Sequence, residues 1–180
     1  IRFTVPGMRI DLGGIAKGFA IDQSIGALQE HGALGAMVDI GGDIRCFGQA
    51  PAGKQHWSIG LQDPQVSAED TDPQRILLIL KLTDLAITTS GHYRRFTIID
   101  GQQTSHIIDP HTGQGSDKLS SVTIMAPDAI TADALATAVS VLGQEEGLAL
   151  IEQMPQVEAI VIGNNSSQTI KTSGAQRHVK

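Results

Sequence analysis

Asp133 and Thr137 stand four residues apart in the alanine-rich stretch Thr131-Ala-Asp-Ala-Leu-Ala-Thr137. On a helix that spacing projects a carboxylate and a hydroxyl from one face. Both are hard oxygen donors of the kind Mg²⁺ accepts, since this ion keeps several waters and takes only one or two carboxylates before binding phosphate oxygens. Two plainer roles compete: Asp133 favouring a helix N-terminus electrostatically, and Thr137 bonding back to a carbonyl. Alanine at 132, 134, 136 and 138 leaves little bulk beside the pair, so a ligand or another segment can come close.

A second set of groups suits an anion. Asp11-Leu-Gly-Gly-Ile-Ala-Lys-Gly18 places Gly13 and Gly14 before a helical pattern, so unpaired N–H groups and the positive end of a helix dipole face the loop. Lys17 adds a charge for a phosphate. The segment matches neither Gly-x-x-x-x-Gly-Lys-Ser/Thr nor Gly-x-Gly-x-x-Gly, and a tight turn with Asp11 capping the helix is the competing reading. Thr88-Thr-Ser-Gly91 packs three hydroxyls that suit phosphate or ribose oxygens, or a capped turn between strands. Ser105-His106 precedes Asp109-Pro-His-Thr-Gly113; His106 is the candidate general base at neutral pH, with a structural histidine as the alternative. His111 and His92 are weaker candidates. In Asp39-Ile-Gly-Gly-Asp43, Asp39 is expected to face the core side or a cleft, whereas Asp43 is assigned to the turn.

These groups need elements to hold them. Ile15, Phe19, Ile25 and Leu28 recur at near-helical spacing and predict a helix from Ile15 to about Gln29, ended near Gly32. Ala129–Leu142 and Gln144–Met154 predict two more. β-type residues fill Ile1–Ile10, and strands are predicted over 36–40, 43–47, 57–61, 76–82, 85–88, 93–100 and 120–125. Gly101-Gln-Gln103 is expected to close a hairpin between Phe96–Ile99 and His106–Ile108, and Val157–Ile162 is expected to pair with Gln168–Lys171. Pro64 to Gln74 reads as a solvated loop. Mixed antiparallel strands with about three helices make an α+β fold, expected to form one domain over residues 1–180.

Composition narrows the class. Apolar residues supply 41% of the chain but aromatics only 3%, so the core must be built from Ile, Leu, Val and Ala. The net charge of -6 comes without any Lys/Arg run, which argues against nucleic-acid binding. Cys46 is the only cysteine, which excludes an internal disulfide and predicts a small buried strand residue. The longest apolar run, Ile76–Leu80, falls far short of the roughly 20 residues of a membrane span.

Taken in order, Asp11-Leu-Gly-Gly-Ile-Ala-Lys-Gly18, Asp39-Ile-Gly-Gly-Asp43, Thr89-Ser-Gly-His-Tyr93, His106-Ile-Ile-Asp-Pro110 and Ala132-Asp-Ala-Leu-Ala-Thr137 resemble the flavin transferases of the ApbE type. Members of that family move FMN from FAD onto a serine or threonine of a target protein. The resemblance implies a T-fold-like core and Mg²⁺ held by the Gly14 carbonyl, Asp133 and Thr137. It implies FAD contacts at Asp11, Lys17 and Ile107, with Thr89 and Ser90 as a wall of the same cleft and His106 as the base. It further implies an acceptor carrying a Ser/Thr-Gly-Ala-Ser/Thr-like motif. Family members carry a substantial N-terminal region before the Asp-Leu-Gly-Gly segment, where only ten residues stand here, so the chain is expected to lack part of the flavin-ring pocket and to bind FAD weakly. Periplasmic location, and membrane anchoring through such a region, are implied by resemblance alone. FAD hydrolysis to FMN and AMP, or FAD binding without turnover, are the alternatives. Thr172-Ser-Gly-Ala-Gln176 departs from the acceptor motif at Gln176 and is expected to be a tail.

Overall fold

A computed structural model describes residues 2–66, 72, 74–91, 96–99, 102–164 and 168–180. The first helix, α1 (Ala16–Glu30), is followed by strands β1 (Gly35–Ile40), β2 (Asp43–Gly48), β3 (Trp57–Gln62), β4 (Ile76–Leu82), β5 (Ala86–Ser90), β6 (Phe96–Ile99), β7 (Gln102–Ser105) and β8 (Leu119–Ala126). Helices α2 (Ala129–Leu142) and α3 (Gln144–Ile151), strands β9 (Glu158–Gly163) and β10 (Thr169–Lys171), and a 3₁₀ turn at Ala175–His178 complete the chain. Six strands form one antiparallel sheet in the order β1-β2-β5-β8-β9-β10, while β3-β4 and β6-β7 are separate hairpins. The α+β expectation is met.

The sheet is covered on both faces, as the two apolar sets along its strands require. Phe47, Ala86, Val122, Ile124 and Ala126 pack against Ile21 and Ile25 of α1 and Ala129, Ala132, Ala136 and Val139 of α2. Cys46, Ile87, Met125 and Ile160 face the opposite way, onto Ile59, Leu61, Leu80 and Leu82 of the β3-β4 hairpin. Every residue of β8 is therefore buried. Cys46 is the small core residue expected, its thiol pushed up to about 11 by burial.

Several expectations need correction. Of Ile15, Phe19, Ile25 and Leu28 only Ile25 is buried: Phe19 is 55% exposed, and the buried residues of α1 are Gly18, Ile21 and Ile25. Those three share one face at i, i+3 and i+7, whereas Phe19 lies one residue, about 100°, around the helix. Ile1–Ile10 supplies no strand among the described residues, because no neighbour pairs with its backbone. The partner of β6 is Gln102–Ser105, with Phe96 opposite Ser105 and Ile99 opposite Gln102, so His106 begins the loop beyond the hairpin. Tyr93 and Asp100 of the predicted strand, and His92, lie outside the described residues.

Thr172-Ser-Gly-Ala-Gln176 is no tail. The Thr172 hydroxyl is buried, donates to Glu158 Oε2 at 2.5 Å and accepts the Ala159 N–H at 2.9 Å. Ala175 then closes the core beneath β4 and β9. Among the described residues, no helix is long and apolar enough to cross a membrane.

Candidate functional site

Helices α1 and α2 pack antiparallel and very closely. A Cβ on Gly18 would fall 2.3 Å from the Ala129 carbonyl oxygen, so only glycine allows the approach. The two helices then meet in three rungs, each one turn from the next. At the first, Asp22 on α1 accepts the Ala129 and Ile130 N–H groups, both at 2.9 Å, and so caps α2 from outside. Arg45 of β2 holds the same carboxylate at 2.6 Å. At the second rung, the Gly18 N–H donates to Asp133 Oδ2 at 3.0 Å. At the third, a Cβ on Gly14 would lie 2.9 Å from Thr137 Oγ1. Spacing of i+4 along α2, and along α1 and the turn that leads into it, repeats the contact at 22/129, 18/133 and 14/137.

The middle rung alters the entrance of α1. In a regular helix the Gly18 N–H would bond the Gly14 carbonyl. Given to Asp133 instead, it leaves that carbonyl outside the helical ladder, between the bond from Ala16 N–H to the Leu12 carbonyl at 2.9 Å and that from Phe19 N–H to the Ile15 carbonyl at 3.1 Å. No side chain caps α1 at Ile15. Its positive end therefore faces the one carboxylate that α2 brings to it. Asp11 caps a different group: its Oδ1 accepts the Gly13 N–H at 2.7 Å, which fixes the loop before the helix.

A cleft of about 1000 Å³ opens over these rungs, lined by the Asp11–Lys17 segment, by Asp133, Thr137 and Leu142 of α2, by Thr89–Gly91, and by the loop from His106 to His111. Asp11, Lys17, Thr89, Ser90, His106, Ile107, Gly14, Asp133 and Thr137 thus share one wall-to-wall space. His106 is exposed on its rim, while Ile107 is buried and donates its N–H to Ser105 Oγ at 3.1 Å. The loop is held by its own bonds. Asp109 accepts the His111 N–H at 2.8 Å, and Ser116 N–H reaches the Ile107 carbonyl at 2.7 Å. The His111 N–H and the nearby Lys118 ammonium hold the Asp109 carboxyl below the ordinary carboxylate range. Thr89 shares its hydroxyl with Thr123 at 2.9 Å, and Thr88 is fully buried and does not line the cleft, so Ser90 is the hydroxyl of this segment with the clearest access.

The expected roles of Asp39 and Asp43 are exchanged. Asp39 is exposed and accepts the Gly42 N–H at 2.8 Å, so it is the turn residue. Asp43 is 1% exposed and meets Lys17 Nζ at 2.5 Å. Burial raises its carboxyl above the ordinary range, Lys17 pulls the other way, and the charge of Asp133 adds to the rise. Strand alternation is the signal that would have revealed this. Asp43, Arg45 and Phe47 share one face of β2, and Arg45 and Phe47 turn toward the helices.

The donor set fits Mg²⁺. Asp133 supplies one carboxylate whose second oxygen is not used by Gly18, Thr137 supplies a hydroxyl one turn on, and Gly14 supplies a carbonyl outside the helical ladder. Three hard oxygens with a single charge leave room for waters and phosphate oxygens, as this ion requires.

Comparisons with known proteins agree with one another. The sequence profile of the ApbE family matches residues 1–161. A FAD:protein FMN transferase of Treponema pallidum is 39% identical over 170 residues, which cover 90% of this chain and 46% of that protein. One from Vibrio cholerae is 40% identical over 149 residues, 82% of this chain and 43% of that protein. The crystal structure of the ApbE protein from Thermotoga maritima superposes with a TM-score of 0.84 at 31% identity, over 97% of this chain and 55% of that one. The flavin transferase ApbE from Vibrio cholerae gives 0.80 at 35% identity, over 97% and 54%. The chain spans about half the length of the curated relatives it matches.

Proposed function

The chain belongs to the ApbE family, and from that premise we propose that it carries the metal- and pyrophosphate-binding part of a site that transfers FMN from FAD to a Ser or Thr hydroxyl of an acceptor protein. The observation that supports this most is the meeting of α1 and α2, where the Gly18 N–H bonds Asp133 and Gly14 abuts Thr137 at the floor of one cleft. Asp133, Thr137 and the Gly14 carbonyl would hold Mg²⁺. When bound, that ion would neutralise charge on the pyrophosphate and on the departing AMP.

The protein groups divide the remaining work. The entrance of α1, with Gly13 and Gly14 and the Lys17 ammonium, receives the pyrophosphate because its amides and dipole favour anions. His106 takes the proton of the acceptor hydroxyl as its oxygen attacks the FMN-side phosphorus. One P–O bond forms to the acceptor, the P–O bond to AMP breaks, and AMP leaves. Ile107, Thr89 and Ser90 line the nucleotide along the opposite wall.

Incubation with FAD, Mg²⁺ and a peptide bearing Ser/Thr-Gly-Ala-Ser/Thr, followed by intact-mass measurement, tests this reading. A gain of one FMN on the peptide, lost with EDTA, is the expected result. Free FMN and AMP with unmodified peptide would mark a hydrolase, and bound FAD with no product would mark a binding module.

A further inference from the structure

Asp43 has no task in the scheme above, yet it is a carboxylate buried to 1% exposure and paired with Lys17, which lines the cleft. Three elements converge on it: Lys17 from α1 at 2.5 Å, the Thr89 backbone N–H from β5, and the charge of Asp133 from α2. Asp43 thus holds the ammonium, and Asp133 is a second buried carboxylate whose charge reaches Asp43. Lys17 is 30% exposed and lines the cleft, so its stem has room to turn away from Asp43 toward a ligand there.

We propose that Asp43 is a positioning residue that makes dinucleotide and divalent-cation binding cooperative; this rests on the reading of the cleft as a Mg²⁺ and FAD site. In the empty cleft Lys17 neutralises Asp43. A pyrophosphate draws the same ammonium toward itself and leaves Asp43 uncompensated beside Asp133. Buried negative charge of that kind is costly unless a cation answers it. A divalent ion at Asp133 is that answer, so each ligand raises the affinity of the other by the same factor. Lys17 is then shared between a protein carboxylate and a phosphate.

The test measures Mn²⁺ binding by electron paramagnetic resonance with and without FAD, and FAD binding by fluorescence in EDTA and in Mn²⁺, for the unaltered chain and for Asp43→Asn. The unaltered chain should bind Mn²⁺ about tenfold more tightly when FAD is present, within the usual range of coupling. In Asp43→Asn the Mn²⁺ affinity should fall several-fold, FAD affinity in EDTA should stay equal or rise, and the coupling should shrink to within about twofold. These opposite signs separate the proposal from a merely structural role, which would weaken both ligands together.

Coupling that persists in Asp43→Asn, a parallel loss of both affinities, or an unaltered chain that takes neither ligand would overturn it. Coupled binding that depends on Asp43 but yields no FMN transfer would instead sink the function and leave this inference standing.

Discussion

A methyl group on Gly14 would lie 2.9 Å from the hydroxyl of Thr137, two residues 123 positions apart that close the floor of one cleft. The contact joins the loop before α1 to the third turn of α2. It also brings the Gly14 backbone against the side-chain oxygen with which its carbonyl would share one ion.

Gly14→Ala should therefore act on the ion more than on the fold. The obstacle is side chain rather than backbone: Thr137 Oγ1 at 2.9 Å can turn aside and its Cβ at 3.3 Å need give only slightly, so the stability loss should stay within about 1 kcal/mol. Half-saturation by Mg²⁺ should rise about tenfold, the low end of what disturbed metal-site geometry costs. Thermal melting and a Mg²⁺ titration of FMN transfer read the two effects separately; equal responses would remove the proposed proximity.

Gly18→Ala should do the reverse. The obstacle is the Ala129 carbonyl at 2.3 Å, a backbone atom that cannot rotate aside, so the helices must separate. Overpacking of this kind costs about 2–3 kcal/mol, equivalent to a fall of roughly 5–10 °C in Tm for a chain of this size. A melting curve unchanged from the parent would contradict the close packing described.

Asp22→Ala leaves two helix-end amides and the Arg45 guanidinium without their acceptor. The expected loss is about 2–4 kcal/mol, since a part-buried charge is left alone. Asp22→Asn should lose less, because its amide oxygen still accepts. Urea unfolding of both variants, ranked against Arg45→Met, checks the order.

The loop below His106 should respond to acid. Backbone donation from His111 lowers the Asp109 carboxyl, so its contribution is complete above the ordinary carboxylate value of about 4 and is lost as pH falls through the lowered folded value. Asp43 runs the other way. Its raised carboxyl favours the folded state most when protonated, and that contribution fades as pH rises through the raised value. Asp109→Asn should therefore flatten the acid side of a Tm-against-pH curve, and an unchanged acid limb would count against the Asp109 turn.

His106→Ala should lower transfer by about 10²–10⁴-fold, the usual worth of a positioned base. Its exposed place on the rim means that Tm should hardly move. Turnover within a factor of two of the parent would remove it from the role of base.

Much of this was written in the chain. The Asp133/Thr137 spacing on α2 and the Gly-Gly entry to α1 are local patterns, set by helix periodicity and by the backbone freedom of glycine. The helix over Ala129–Leu142 emerged with its observed limits. Asp22 and Asp43 were missed because their meaning is not local: Asp22 works 107 residues away on the end of α2, and Asp43 looked like one more turn residue beside Gly41-Gly42. The face of α1 was misread because Phe19 and Leu28 outweigh Gly18 in hydrophobicity. Contact distance, not apolar content, decides which face a helix can bury at so close a crossing. Thr172 to Gln176 was misread because a short polar stretch says nothing of the buried Glu158 that its hydroxyl meets.

Strand β8, buried along all eight residues, runs through the Pro127-Asp128 turn straight into α2. Its amides should be among the last in the protein to take up deuterium, and α2 inherits that permanence at its start. The segment bearing Asp11 to Gly14 has no ladder behind it and should exchange within the earliest time points. The two sides of the cleft would then keep different clocks: a fixed wall carrying Asp133 and Thr137, and a quick lip carrying the glycines. Protection that appears on the lip when ligand is added, while α2 stays silent, would record the moment of capture.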